Sequence, residues 1–328
     1  MEDYGFNWGK VDKERSEAAQ RAINVGNAGS ALVQVYINRT VQQISLREMG
    51  AQAILPRKPG SGDKAYVNRR TPGTTGGTWV DDTTEPTEET GSYAQTNFTY
   101  RTLITRGKVT RKMLAIGRSY GDALAEELTG KAEDFADQFE YGVIQGNAAS
   151  NANQINGLIT LISAVAGQMV GQTSSAGADD LTLAKVDQAI DKVKGSAARE
   201  DLAIIGSHAG LRSLNAALQA QQAFNDMTEI AAGFRVRTYD GIPLILSTQV
   251  PDVLNWDGSA IIGYTGGTST ALIIVNTRYA WIEELTPQTV LPLAKTTSQY
   301  DQFDMFIDAA LVLANTKGAS MLCGVLPK

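Results

Sequence analysis

Residues 118–147, RSYGDALAEELTGKAEDFADQFEYGVIQGN, decide how the rest of the chain is read. Leu124, Leu128, Ala132, Phe135, Phe139 and Val143 recur at steps of three and four, so one stripe is apolar while Asp122, Glu126, Glu133, Asp137 and Glu140 point elsewhere. The pattern predicts one amphipathic helix, which at 1.5 Å per residue spans roughly 40 Å. Gly146-Asn147 is its C-cap signal. A polar loop, NAASNANQ, then runs to a turn at Asn156-Gly157 and an apolar segment, LITLI.

The totals set the bounds. A chain of 328 residues with 43% hydrophobic content forms one large domain or two and buries a sizeable core. A net charge of −6 and a pI near 5.0 argue against a constitutive nucleic-acid binder, whose affinity comes from clustered Lys and Arg. The single cysteine, Cys323, has no partner for an intrachain disulfide and no secretory signal opens the sequence, which predicts folding in a reducing cytoplasm. No apolar run reaches bilayer length, and no membrane association is expected.

Upstream of the long helix, residues 1–30 carry an aromatic tip, Tyr4, Phe6 and Trp8, a charged helical piece and a Gly-Asn-Ala-Gly-Ser linker. They read either as a loosely held arm or as an arm whose aromatics anchor on a neighbouring subunit. A helix is predicted over residues 36–48, with Gly50 following its end. From residue 56 to 95 the composition shifts, with eight Thr and four Gly between residues 71 and 92. Its charges are segregated: Arg57, Lys58, Lys64, Arg69 and Arg70 on the way out, Asp81, Asp82, Glu85, Glu88 and Glu89 on the way back. This predicts a long two-stranded excursion with one basic and one acidic arm. Residues 98–113 read as a strand carrying Arg101, Arg106, Lys108, Arg111 and Lys112 and no acid.

Downstream, a Gly/Ser/Ala stretch over residues 167–178 leads into a unit that alternates helix and strand. Helices are predicted over 182–194 and 208–222, with Thr182 and Ser207 as caps, and a buried strand over 202–206. Strands are predicted over 234–239 and 242–248 around Asp240-Gly241, and over 261–264 and 271–275 around Gly266-Gly267. Residues 287–293 read as a connector, and 303–315 and 319–325 as a final hairpin around Thr316-Lys317-Gly318.

Catalytic constellations are scarce. His208 is the only histidine, which excludes metal sites that need several imidazoles and leaves one possible Ser-His-acid cluster, Asp201, Ser207 and His208. Cys323 lies in an apolar run and reads as packing. The glycine clusters at 73–77 and 263–267 lack the Lys-Ser/Thr of a phosphate loop and the Gly-x-Gly-x-x-Gly of a dinucleotide fold, and read as hairpin tips. The helix carboxylates Glu126, Glu133, Asp137 and Glu140 read as a solvated acidic face. Catalytic, cofactor and metal residues are therefore predicted as none.

The segment DFADQFEYGVIQGNAASNANQINGLITLI, at 134–162, together with YDGIPLI at 239–245 and the acid-rich start and Lys-Gly turn of 299–325, resembles the major capsid proteins of tailed bacteriophages. The resemblance implies an α+β, Hong Kong 97-like fold. Its parts are an N-terminal arm and first helix at 1–50, an extended β-hairpin loop at 51–98, a peripheral domain with a long spine helix at 99–170, a compact axial domain at 171–286, and a return to the peripheral domain at 287–328. It implies a structural shell subunit and not an enzyme. Such a subunit self-assembles in the host cytoplasm into hexamers and pentamers of an icosahedral or elongated virion head around double-stranded DNA, held by weak non-specific contact. Thirty residues before the first core element are too few for a cleaved scaffolding segment, so a separate scaffolding protein is expected, with a portal and a decoration protein as further partners. Closure without covalent links is expected.

On the residues themselves, the loop contributes intersubunit contacts through Arg69, Arg70, Trp79, Asp81, Asp82, Glu85, Glu88 and Glu89. The basic strand receives them through Arg101, Arg106, Lys108, Arg111 and Lys112, and Leu124, Leu128, Phe135, Phe139 and Val143 form the spine-helix core. Two alternatives stand beside this reading: an encapsulin-like protein compartment, and a small-molecule-binding or hydrolytic α/β protein using Asp201, Ser207 and His208.

Overall fold

The structure, a computed structural model, describes residues 48–71, 79–85, 88, 91–120, 123–173, 175, 177–193, 201–220, 226–231, 234–263, 266–294 and 299–328. The N-terminal arm and most of the helix expected over 36–48 lie outside them. In chain order the first half contains α1 (Gly50–Ile54), β1 (Arg57–Pro59), β2 (Lys64–Thr71), β3 (Ser92–Thr99), β4 (Arg101–Thr110), α2 (Arg111–Tyr120), α3 (Ala123–Gln145), α4 (Leu158–Ser163) and β5 (Met169–Gly171). There follow α5 (Leu183–Lys192), β6 (Leu202–Gly206), α6 (His208–Ala220), β7 (Asp226–Ala231), β8 (Phe234–Tyr239) and β9 (Ile242–Leu246). The last elements are β10 (Asn255–Trp256), β11 (Ile261–Gly263), β12 (Thr270–Asn276), β13 (Ala280–Pro292), β14 (Tyr300–Leu313) and β15 (Ala319–Val325).

Two sheets carry the architecture. One has the order β1-β13-β14-β4 and the other β5-β15-β12-β6-β9-β8-β7. Every residue of β6, β12 and β15 is buried, which explains their continuous apolar runs: strands covered on both faces need no polar alternation. The alternation appears instead as a division between two cores. Leu272 and Ile274 of β12 face the helices α5 and α6, with Val186, Ile190, Leu214 and Leu218. Ala271, Ile273 and Val275 face Phe139, Val143, Ile159, Ile282 and Met305, so this second core joins the seven-stranded sheet to α3, α4 and the four-stranded sheet.

The spine helix is α3, 23 residues long. It starts later than the periodicity predicts, because residues 118–120 belong to α2, which begins at Arg111. Its end depends on two touching glycines. A Cβ on Gly146 would lie 2.3 Å from the carbonyl oxygens of Gly142 and Ile155, and one on Gly157 would lie 2.6 Å from the Gly146 nitrogen. This close approach lets the Gly157 N–H and the Thr160 hydroxyl both donate to the Gly146 carbonyl, at 2.8 and 2.7 Å, and turns the chain directly into α4. The other predicted turn, Asp240-Gly241, has φ of 50° and 79°, the left-handed pair a two-residue hairpin requires.

Several pairings differ from the sequence reading. β14 and β15 do not form a hairpin: β14 lies between β13 and β4, and β15 between β12 and β5. Each is a central strand that needs two neighbours, and the turn at Asn315–Gly318, closed by a 2.9 Å bond from Lys317 N–H to the Asn315 side chain, carries the chain from one sheet to the other. Residues 319–325, expected to return to the peripheral unit, therefore lie in the seven-stranded sheet. The connector expected at 287–293 falls largely in the 13-residue β13, whose start at Ala280 already belongs to the four-stranded sheet. β11 pairs with β10 rather than across Gly266-Gly267 with β12. Gly50, expected to follow a helix, opens α1.

Candidate assembly surfaces

The excursion is built as expected in outline. β2 and β3 pair antiparallel from Lys64↔Thr99 to Thr71↔Ser92, while the glycines at 73–77 lie outside the described residues. Two of its cations are not on the hairpin: Arg57 and Lys58 sit in β1, beside β13, where Arg57 bonds Glu284 at 2.6 Å and the Lys58 ammonium lies 3.4 Å from the Trp281 ring centre. A third is on it but serves its own subunit. Arg69 donates to the carbonyls of Leu313 and Ala314 at 2.6 and 2.7 Å, and burial lowers its affinity for the proton. This clamps the hairpin to the end of β14. Arg70 lies 6.0 Å from the Tyr93 ring centre.

Beyond the clamp the surface is open. Trp79 is 103% exposed, and Val80, Asp81, Asp82, Glu85 and Glu88 are exposed too. Asp81 orders the local turn by accepting from Asp82 N–H at 2.8 Å through its carboxylate and from Thr84 N–H at 3.0 Å through its carbonyl. Glu89 lies outside the described residues.

The expected basic strand changes more. β4 stops at Thr110, and Arg111 and Lys112 project from α2, with Met113 N–H bonded to the Thr110 hydroxyl at 3.2 Å where the helix begins. The strand is also not free of acid in space. Register places Asp304 of β14 opposite Arg106, and the pair is bidentate at 2.6 and 2.7 Å. That hydrogen bonding, with the attraction of the guanidinium, pulls the Asp304 carboxyl below its usual value. Thr102 donates to Asp308, the next acid on the same face, and Lys108 lies 5.3 Å from the Tyr300 ring centre. Arg101 lines a pocket of about 260 Å³ with Gln138, Asn151 and Asn153, between β4, α3 and the loop that follows it.

The spine core divides at its middle. Phe135, Phe139 and Val143 are buried, whereas Leu124 and Leu128 are half-buried. Glu140 overturns the expectation of a solvated acidic face: it is 0% exposed. Its Oε1 accepts from Ala51 N–H at 2.8 Å and from the Ser247 hydroxyl at 2.7 Å, and its Oε2 accepts from Gln52 N–H at 2.9 Å. One carboxylate therefore takes up two unpaired donors at the start of α1 and ties α3 to the end of β9. Asp137 joins the same seam by accepting from the Gln249 amide at 2.7 Å. Sequence reasoning missed both, although Glu140 is flanked by Phe139 and Gly142-Val143 and so sits on the inward face.

The catalytic alternative does not assemble. The Ser207 hydroxyl donates to the Asp252 carboxylate and accepts from Gly210 N–H at 3.0 Å, capping α6. His208 is exposed on the lip of an open pocket with Arg212 and Arg237, and Asp201 lies at the opposite end of the five-residue β6. Cys323 is buried, and burial pushes its thiol upward, away from the thiolate a nucleophile needs.

A family model of the SU10 major capsid protein matches residues 61–325. The chain belongs to that family. This capsid subunit has no match among curated proteins. Its fold is similar to that of the SrpI encapsulin of Synechococcus elongatus PCC 7942, at a TM-score of 0.66 and 14% identity over 91% of this chain and 95% of that one. It is also similar to the capsid of the native GTA particle, at 0.65 and 15% over 93% and 98%, and to that of Gordonia phage Cozz, at 0.60 and 16% over 93% and 95%. The Hong Kong 97-like fold and the role of a structural virion subunit, assembled from repeated copies, follow from the family and these likenesses. The surfaces that matter in the capsid subunit are those that meet other copies.

Proposed function

We propose that the capsid subunit assembles in the host cytoplasm into hexamers and pentamers by laying its hairpin across the next copy. The contact is head-to-tail, so it closes into rings. The observation that carries this reading is the hairpin itself: clamped by Arg69 at its root, it holds Trp79 and the acidic residues Asp81, Asp82, Glu85 and Glu88 in solvent. The receiving surface is the cationic edge of the neighbour, Arg101, Lys108, Arg111 and Lys112. Arg106 contributes less because Asp304 already neutralises it. Exposed ion pairs of this kind contribute about 0–1 kcal/mol each, so they set register while apolar burial holds the contact.

The closed shell encloses double-stranded DNA, and the net charge of −6 suits a wall that does not trap it. A scaffolding protein, a portal and a decoration protein act with it as separate chains. Changing Glu85, Glu88 and Glu89 together to Lys should leave folded subunits that do not form particles; particles at normal yield and salt resistance sink the reading. The likeness to the SrpI encapsulin keeps a cargo compartment as the second reading. Double-stranded DNA in particles purified from infected cells decides for the head, and protein cargo without DNA decides for the compartment.

A further inference from the structure

The N-terminal half of α3 leaves its apolar stripe open. Leu124 and Leu128, with Val290, Pro292 and Leu293 at the end of β13 and Phe303 of β14, line an open groove of about 340 Å³. The other lining residues are Asp301, which already has an interaction of its own, and Gln302. Cations border one side of it. Lys108 pairs with Gln302 in the ladder, and Arg111 N–H donates to the Gln299 carbonyl at 2.8 Å, which places Lys108, Arg111 and Lys112 beside the segment that forms the groove wall. The surface is thus an apolar cleft with a basic margin.

Trp79 and the residues after it have the complementary composition: an exposed indole and Val80, then Asp81, Asp82 and Glu85. We propose that Trp79 of one subunit seats in the Leu124–Leu128–Phe303 groove of the next, with its trailing acids on the neighbour's Lys108, Arg111 and Lys112. This rests on the head-to-tail reading above and names the anchor and its socket. A subunit does not fill its own groove. β3 runs outward from Arg101, which pairs with Ala309, and Arg69 is fixed at Leu313 and Ala314. Phe303 lies ten residues back along β14, roughly 34 Å away at strand spacing, and the hairpin continues in the opposite direction. The occupant is therefore a second copy.

Paired cysteines test the proposal in assembled particles. Trp79→Cys with Val290→Cys joins two exposed positions, and Ile262→Cys, exposed on β11, is the control partner; Cys323 is buried in both. After diamide oxidation, the 79–290 pair should give a ladder of covalent oligomers on a non-reducing gel and the 79–262 pair should give monomer. An intramolecular disulfide, or particles that assemble with no 79–290 ladder, overturns the groove as the socket. Separately, Trp79→Ala should raise the protein concentration needed for assembly at least about 30-fold, as loss of an interface hot spot does, and Trp79→Phe should recover most of it. An unchanged threshold for Trp79→Ala also overturns the proposal. If either result comes with a Glu85/Glu88/Glu89→Lys variant that still fails to assemble, head-to-tail docking stands and only the anchor is wrong.

Discussion

The two halves of the α3 stripe obey the same sequence rule and end differently. Phe135, Phe139 and Val143 are enclosed by the subunit's own sheets, while Leu124 and Leu128, one and two turns earlier on the same face, stay half-open. The hairpin is the counterpart of the open half: its strands bury almost nothing and its largest aromatic is wholly in solvent. Periodicity marks a surface that must be covered, and it does not say whether the cover comes from the same chain. In a shell subunit that distinction separates folding from assembly, and substitutions should divide along it.

The largest loss of subunit stability is expected at the closed end of the seam. Phe139→Asp removes a buried ring and places a carboxylate there, so it should exceed the about 3–5 kcal/mol of a Phe→Ala truncation and leave no folded monomer by circular dichroism. Soluble monomer with native helix content would contradict the assignment. Glu140→Ala comes next. It strands two N–H groups and a hydroxyl in the interior and should cost about 3–5 kcal/mol in urea unfolding, with Glu140→Gln recovering part of it.

Asp304→Asn should have a smaller effect, confined to acid. Its folded carboxyl lies below the ordinary unfolded value of about 3.9, so the Arg106 pair stabilises the fold fully above that pH and loses its contribution as pH falls through the folded value. The variant should therefore show a flatter acid limb in a stability–pH profile, and an unchanged limb would remove the pair from the energetics. The smallest effect on the subunit is expected from Trp79→Ala, within about 0.5 kcal/mol of wild type, since an exposed residue away from caps and strain contributes little to folding. A destabilised monomer would mean that Trp79 packs within its own subunit.

What the sequence made legible follows the range of the interactions involved. The spine helix, the Gly146 to Gly157 turn, the Asp240-Gly241 hairpin and the α6 cap at Ser207 all depend on residues within a few positions of one another, and their patterns name them. The misreadings concern neighbours far apart in the chain. Arg101 pairs with Ala309 and Arg106 with Asp304, so an acid-free segment gained its acid from a strand nearly two hundred residues away. β14 and β15 are adjacent in sequence and separated in space, since each is completed by strands from elsewhere. Glu140 looked like surface because a lone acid on a helix ordinarily is; its burial depends on Ala51, Gln52 and Ser247, which no local pattern connects to it. Arg111 and Lys112 were lost to the strand because nothing in RKMLAIG marks the change from strand to helix as strongly as a Pro or Gly would.

The most direct test compares wild type with the Glu85/Glu88/Glu89→Lys variant by sedimentation velocity, with circular dichroism on the same samples. The expected result is particles from wild type, and from the variant a folded monomer of unchanged helix content. A variant that sediments as particles at the wild-type concentration would contradict the claim that the hairpin is completed by the next copy.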